Sequence, residues 1–200
     1  MATTRKRRDA PRKGDLREQA ILDTAEALLE REHVEPMTVE TIAKGAGISR
    51  ASLYFYFGSK QDVLTALVAR TVAVLDRDAG AASVDTGPAP AETARAAVLL
   101  TAKMWRAHGP VMRAAVELSP TVPEIARLWN GTVERYAEAM TAVLRRAGVP
   151  AGEKPAALAQ ALCWMTERVF YHASRAGEPG ELDAAAETCT EVWRRTIAAG

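Results

Sequence analysis

The stretch SRASLYFYFGSK, Ser49 to Lys60, sets a serine–arginine pair, four consecutive rings (Tyr54, Phe55, Tyr56 and Phe57) and a lysine close together in a chain that is only 6% aromatic. Hydroxyls, a guanidinium and an ammonium at helical spacing are groups that hold phosphates and touch base edges. They do not form a catalytic set. The histidines His33, His108 and His172 are far apart and lack metal-ligand spacing. No Gly-rich phosphate loop and no GxSxG nucleophile elbow occurs. The expectation is therefore a protein that is not an enzyme, with no cofactor and no metal.

Those side chains need elements to present them, and helix follows helix. From Asp15 the apolar residues Leu16, Ala20, Ile21, Ala25, Leu28 and Leu29 form one helical stripe, with Asp15 and Glu18 as N-cap and N3 partner. Thr38 caps a short helix that Gly45 and Gly47 break, and Ser49 caps the helix of rings, which ends at Gly58. Ser59 and Asp62 open a long helix reaching about Asp78. Residues 79–90, AGAASVDTGPAP, read as a loop. Helices resume over about 91–108, 110–118, 122–147, 153–176 and 181–198, separated by Gly and Pro. The fold class is all-α, about nine helices, organised as a basic arm (1–13), a DNA-reading part (14–75) and a second helical part (76–200).

Within residues 38–57, Ala43, Gly47, Ile48 and Leu53 have helix-turn-helix spacing: a small residue where two helices cross, a glycine able to take positive φ at the turn, and two apolar wedges. Such a unit lays the start of its second helix, here Ser49, Arg50, Ala51 and Ser52, in the major groove. Leu53 and Phe57 are four apart and face the core, whereas Tyr54 and Tyr56 turn their hydroxyls outward. Thr38 and Lys60 stand at helix starts, where free N–H groups attract phosphate. The competing reading, that the rings are core, holds for Phe57.

AKGAGISRASLYFYFGSKQDVL resembles the DNA-binding head of the TetR family of transcriptional repressors, over residues 15–68, and ALCWMTERVFYHASRAGEPGE is similar to the EthR subgroup. The resemblance implies a cytoplasmic, ligand-responsive repressor that binds a palindromic double-stranded DNA operator as a homodimer. It implies that Arg50 and Ala51 meet bases, while Thr38, Lys44, Ser49, Ser52, Tyr54, Tyr56 and Lys60 hold phosphates or neighbouring groups. It also implies pairing through the last two helices and release by a small apolar or amphipathic effector. A DNA-binding regulator controlled by a protein, or an activator, is the alternative.

In the second part, Trp105, Trp129, Trp164 and Trp193 come from four helices, joined by Met104, Met112, Tyr136, Met140, Phe170 and Tyr171. Such residues fill a core or wall an apolar cavity, for which Thr101 and Glu167 are polar candidates. Members of the subgroup place two ligand-facing asparagines where this chain has Cys163 and Thr166, so ligand identity does not transfer. Leu158, Ala161, Leu162, Met165, Val169, Val192, Trp193 and Ile197 are the apolar residues of the pairing helices.

The net charge of +1 hides a basic start: residues 1–13 carry six basic residues, among them Arg5, Arg7 and Arg8, against the single acid Asp9. This is either a solvated tail or an arm that enters a groove. Residues 14–75 hold six bases and nine acids, so without the arm the head is weakly electrostatic. The two cysteines, Cys163 and Cys189, lie in no CxxC and fit reduced thiols in the cytosol. MATTRKRR has no apolar run of the secretory kind, and no stretch is long enough to span a membrane.

Overall fold

The computed structural model describes residues 13–31, 34–84, 87–149 and 154–198, and among them it contains eight α-helices and no strand. They are α1 (Lys13–Arg31), α2 (Val39–Gly45), α3 (Arg50–Tyr56), α4 (Lys60–Val84), α5 (Pro90–Leu118), α6 (Pro123–Arg146), α7 (Pro155–Ala176) and α8 (Glu181–Ala198). The chain divides into two compact units, residues 1–67 and 68–200.

Three expectations need correction. The helices expected at 91–108 and 110–118 are one helix, α5, with His108 leaving helical geometry (φ −131°, ψ 21°) ahead of Pro110. Proline has no N–H for the carbonyl of Arg106 and its ring would strike that carbonyl, so the helix kinks instead of ending. This merger makes eight helices of nine. The loop expected over 79–90 is shorter, because α4 continues to Val84 and α5 begins at Pro90. Ala79, Ala81 and Ala82 are strong helix formers, against which Gly80 costs only about 1 kcal/mol. Helix α1 begins at Lys13, which leaves Asp15 in its first turn rather than at the N-cap. A carboxylate there is favoured by the helix dipole.

In the first unit, Ile21, Ala25 and Leu29 of α1 meet Ile42 and Ala43 of α2, Leu53 of α3 and Val63, Leu64 and Leu67 of α4 in one buried core. Gly45 is where α2 passes closest to α1: a Cβ there would lie 2.5 Å from the Thr24 methyl. In the second unit, α5 to α8 are amphipathic and pack around Trp105, Ile125, Leu144 and Phe170, all at most 2% exposed. Gly109, beside the α5 kink, lets α5 pass α7; its Cβ would come within 3.0 Å of the Ser174 hydroxyl.

Candidate nucleic-acid interface and ligand cavity

Two seven-residue helices build the candidate interface, and neither is long enough to persist alone. Caps and burial hold them. Thr38 and Thr41 bond reciprocally: the Thr38 Oγ1 accepts from the Thr41 N–H at 3.1 Å, and the Thr41 Oγ1 accepts from the Thr38 N–H at 2.9 Å. Gly47 takes φ +63° in the turn, and the Ile48 N–H donates to the Ala43 carbonyl at 3.0 Å. Ser49 then caps α3, accepting from the Ser52 N–H at 3.0 Å, with the two serine hydroxyls 2.9 Å apart. Leu53 is fully buried and Phe57 nearly so, which fixes the face that α3 turns inward.

The opposite face carries Ser49, Arg50, Ala51, Ser52, Tyr54 and Phe55, all exposed. The Arg50 guanidinium donates to the Tyr54 hydroxyl from Nη2 (3.0 Å) and Nε (3.3 Å), one turn along. The pair therefore presents as one unit. Lys44 is exposed on α2, and Thr38 is exposed at its cap. Tyr56 is half-buried, edge-on to Phe55 with ring centroids 5.3 Å apart. Lys60 is also half-buried, and its Nζ donates to the Val34 carbonyl at 3.1 Å, so the ammonium closes the turn after α1. Phe55 is 85% exposed, between the exposed Tyr54 and the half-buried Tyr56. Arg5, Arg7 and Arg8 lie outside the described residues.

A cavity of about 80 Å³, open at its mouth, lies within the second unit between α5, α6, α7 and α8. Nine of the expected pocket residues line it: Thr101, Trp105, Trp129, Tyr136, Met140, Cys163, Thr166, Glu167 and Trp193. Three do not. Met104 and Phe170 are packed into the core, and the Tyr171 hydroxyl donates to the Glu117 carboxylate at 3.2 Å. Each residue turns the helix by about 100°, so Met104 faces away from the wall that Trp105 joins. Of the other large residues named from the sequence, Met112 lines the cavity and the half-buried Trp164 does not, while Leu75, Ala94, Ala97, Val98, Thr132 and Val133 complete the lining. Their signal was the spacing itself: 94, 97, 98, 101 and 105 on α5, and 129, 132, 133, 136 and 140 on α6, recur at threes and fours.

Several polar atoms in this wall are matched, while one carboxylate oxygen of Glu167 is not. The Trp193 indole N–H donates to the Thr166 hydroxyl (3.1 Å), which donates to the Leu162 carbonyl (2.8 Å). The Trp129 indole N–H donates to the Glu167 Oε1 (3.3 Å), and the Tyr136 hydroxyl donates to the Leu75 carbonyl (3.1 Å). Trp105 meets Trp129 edge-on, centroids 6.2 Å apart. Burial pushes the Cys163 thiol up to about 12, which keeps it protonated and unreactive. Burial also raises the Glu167 carboxyl above the usual carboxylate range, partly opposed by Arg168 and by the Trp129 hydrogen bond.

Comparison with known proteins places both units. Residues 21–67 match the family described as bacterial regulatory proteins, tetR family, and residues 94–199 match the transcriptional regulator EthR, C-terminal domain. The HTH-type transcriptional regulator EthR of Mycolicibacterium smegmatis is 34% identical over 98% of this chain and 92% of its own length. EthR of Mycobacterium tuberculosis is 37% identical over 96% and 92% respectively. Among solved structures, the transcriptional regulator FadR of Bacillus subtilis in complex with stearoyl-CoA has the same fold: TM-score 0.70 at 18% identity, covering 88% of this chain and 96% of that one. A helix-turn-helix matched at one end and an EthR-type helical unit matched at the other mean that the chain belongs to the TetR family of transcriptional regulators.

Proposed function

We propose that the chain is a ligand-responsive repressor, whose DNA-reading part (residues 14–75) binds a palindromic operator as a dimer and whose second part (76–200) lets go of it when a small apolar effector enters the cavity. The observation that carries the reading is the cavity, lined by three tryptophans in a chain whose other unit carries an exposed recognition helix. A regulator answering only to a protein would gain from filling that space, since an unfilled apolar volume costs stability. FadR of Bacillus subtilis, similar in fold, was solved with stearoyl-CoA, an acyl chain on a polar carrier.

The start of α3 enters the major groove, where Arg50 and Ala51 meet base edges. Ser49, Ser52, Tyr54, Lys44 and Thr38 fix register through phosphates and neighbouring groups. Lys60 and Tyr56 act from behind, Lys60 by holding the turn after α1. Arg5, Arg7 and Arg8 add phosphate contacts that the acidic head lacks; deleting residues 5–13 then flattens the salt dependence of binding. Pairing uses α7 and α8, where Leu158, Met165, Val169, Val192 and Ile197 remain half-exposed within a single chain. Leu162 and Trp193 are buried inside that chain and serve its own core. The protein acts in the cytoplasm, where the DNA is.

Helix α4 links binding to release. Leu75 lines the cavity with its carbonyl held by Tyr136, while Leu67, two turns earlier, belongs to the core of the first unit. A ligand that displaces Leu75 favours a state with the two heads wrongly spaced, and a hundredfold loss of operator affinity needs only about 2.7 kcal/mol of such preference. The test is fluorescence anisotropy on labelled DNA flanking the protein's own gene, at several salt concentrations, with and without octanol. Binding at a palindrome and its loss on adding the alcohol support the proposal. Occupancy of the cavity with full DNA affinity retained overturns it.

A further inference from the structure

Most donors along the cavity wall are already spent. The Thr101 hydroxyl donates to the Ala97 carbonyl (2.9 Å), the Thr132 hydroxyl to the Leu128 carbonyl (3.1 Å), and the Trp129 and Trp193 indoles, Tyr136 and Thr166 are engaged as described, with the Trp105 indole N–H outside this set. The wall also holds a buried acceptor. Glu167 is 6% exposed; its Oε1 takes the Trp129 N–H, and its Oε2 is buried with no hydrogen-bond partner among the described residues. Arg168 forms an ion pair with this oxygen, its Nε 3.6 Å away and beyond hydrogen-bond reach, and its guanidinium sits over the Tyr171 ring at 5.2 Å. His172 contributes only at longer range. No lysine, arginine or histidine lines the cavity.

A buried carboxylate oxygen without a hydrogen-bond donor is costly. An incoming molecule that brings a donor satisfies it. One that brings an anion meets the charge of ionised Glu167, which Arg168, outside the lining, offsets only in part. We propose that the cavity selects an apolar molecule carrying a protonated amine, with the ammonium donating to the free oxygen of Glu167. The apolar body lies against Trp105, Met140 and Val133, and the head stands beside Trp129, whose indole N–H already anchors the carboxylate. This rests on the reading that the cavity receives a small molecule, and it names the chemistry of that molecule.

The test compares octylamine, octanol and octanoate, which share a chain and differ in the head. Each is titrated into the full-length protein near neutral pH, following the fluorescence of the tryptophans in the wall. The expected order is octylamine, then octanol, then octanoate, with the amine bound at least about tenfold more tightly than the alcohol, the range of a charge-assisted hydrogen bond. In Glu167→Gln, octylamine falls to the level of octanol, while octanol itself moves by less than about threefold because its burial is unchanged. Octanoate matching octylamine on the unaltered protein overturns the proposal, and so does an amine preference that survives Glu167→Gln. The ranking on the unaltered protein decides the matter even if the variant fails to fold. Octanol and octylamine binding equally well would sink the amine preference while leaving the cavity reading intact. Failure of the whole series to bind would sink both.

Discussion

Helix α3 has seven residues and helix α7 twenty-two, and they put side chains to use in opposite ways. The short helix survives through its Ser49 cap and one fully buried leucine, so most of its surface is left outside, and that surface holds the arginine, serines and rings. The long helix begins without any side-chain cap, Lys154 standing at its N-cap in a left-handed conformation. Packing holds it instead, through Leu162, Phe170 and Tyr171 among others. A helix so embedded meets a ligand only across a space that its neighbours leave open, and Cys163, Thr166 and Glu167 face one. The proposed recognition of DNA rests on what is exposed, and the proposed recognition of a small molecule on what packing leaves unfilled.

The sharpest way to break this contrast is Phe170→Ala. Phe170 is fully buried and lies off the cavity wall, so its loss should cost about 3–5 kcal/mol of stability in urea titrations followed by circular dichroism. A cost under about 1 kcal/mol would mean that α7 is not held by packing. Arg50→Ala should do the reverse: a loss of about 1–3 kcal/mol of operator binding per head, with the thermal midpoint almost unmoved, because Arg50 is exposed and its hydrogen bonds go to Tyr54 on its own helix. Anisotropy and calorimetry on the same sample separate the two. A fall in stability as large as the fall in binding would make Arg50 a structural residue.

How much of this was legible in the residues differs between the regions for physical reasons. The head could be read closely: Thr38, Ser49, Gly47, Leu53 and Phe57 act within a few positions of themselves, through caps, a positive φ and i, i+4 burial. Lys60 was harder, since its partner is the Val34 carbonyl, twenty-six residues earlier. In the second unit the helices and their polarity are plain, but Gly109-Pro110 reads as a stop, because the sequence does not say whether a helix resumes beyond a kink. The tryptophans announced a packed, aromatic region. Whether a given large residue lines the hollow or fills the core depends on which way one helix is rolled against three others. That is why Met104, Phe170 and Tyr171 fall off the wall while Val98, Thr132 and Val133 fall on it.

A smaller effect sharpens the part that caps play. Ser49→Ala removes the acceptor for the Ser52 N–H and should cost about 1 kcal/mol. Because α3 has little else, hydrogen exchange should show the loss concentrated at residues 50–56. Equal loosening throughout both units would mean that the cap is not what holds α3.

The smallest effect concerns two carboxylates of the second unit whose environments differ as the two helices do. Burial raises Glu167, so its ionisation works against the fold once the pH passes the ordinary carboxylate range, and that cost is complete only above its raised value. Glu191 on α8 is held by Arg194 (2.7 Å) and Arg195 (2.7 Å), which draw it down to about 2. Its folded value lies below its unfolded one, so the pairing supports the fold above the ordinary carboxylate range and is lost as the pH falls towards about 2. Both arginine partners are largely exposed, and solvent screens such pairs. Glu191→Gln should therefore lower the melting temperature slightly near neutral pH in low salt, and leave it unchanged in about 0.5 M salt, where the Debye length is only a few ångströms. A loss that persists in high salt would mean that water does not reach Glu191. On a helix proposed to pair with a second copy, that result would place Glu191 under the partner rather than at the rim of the contact.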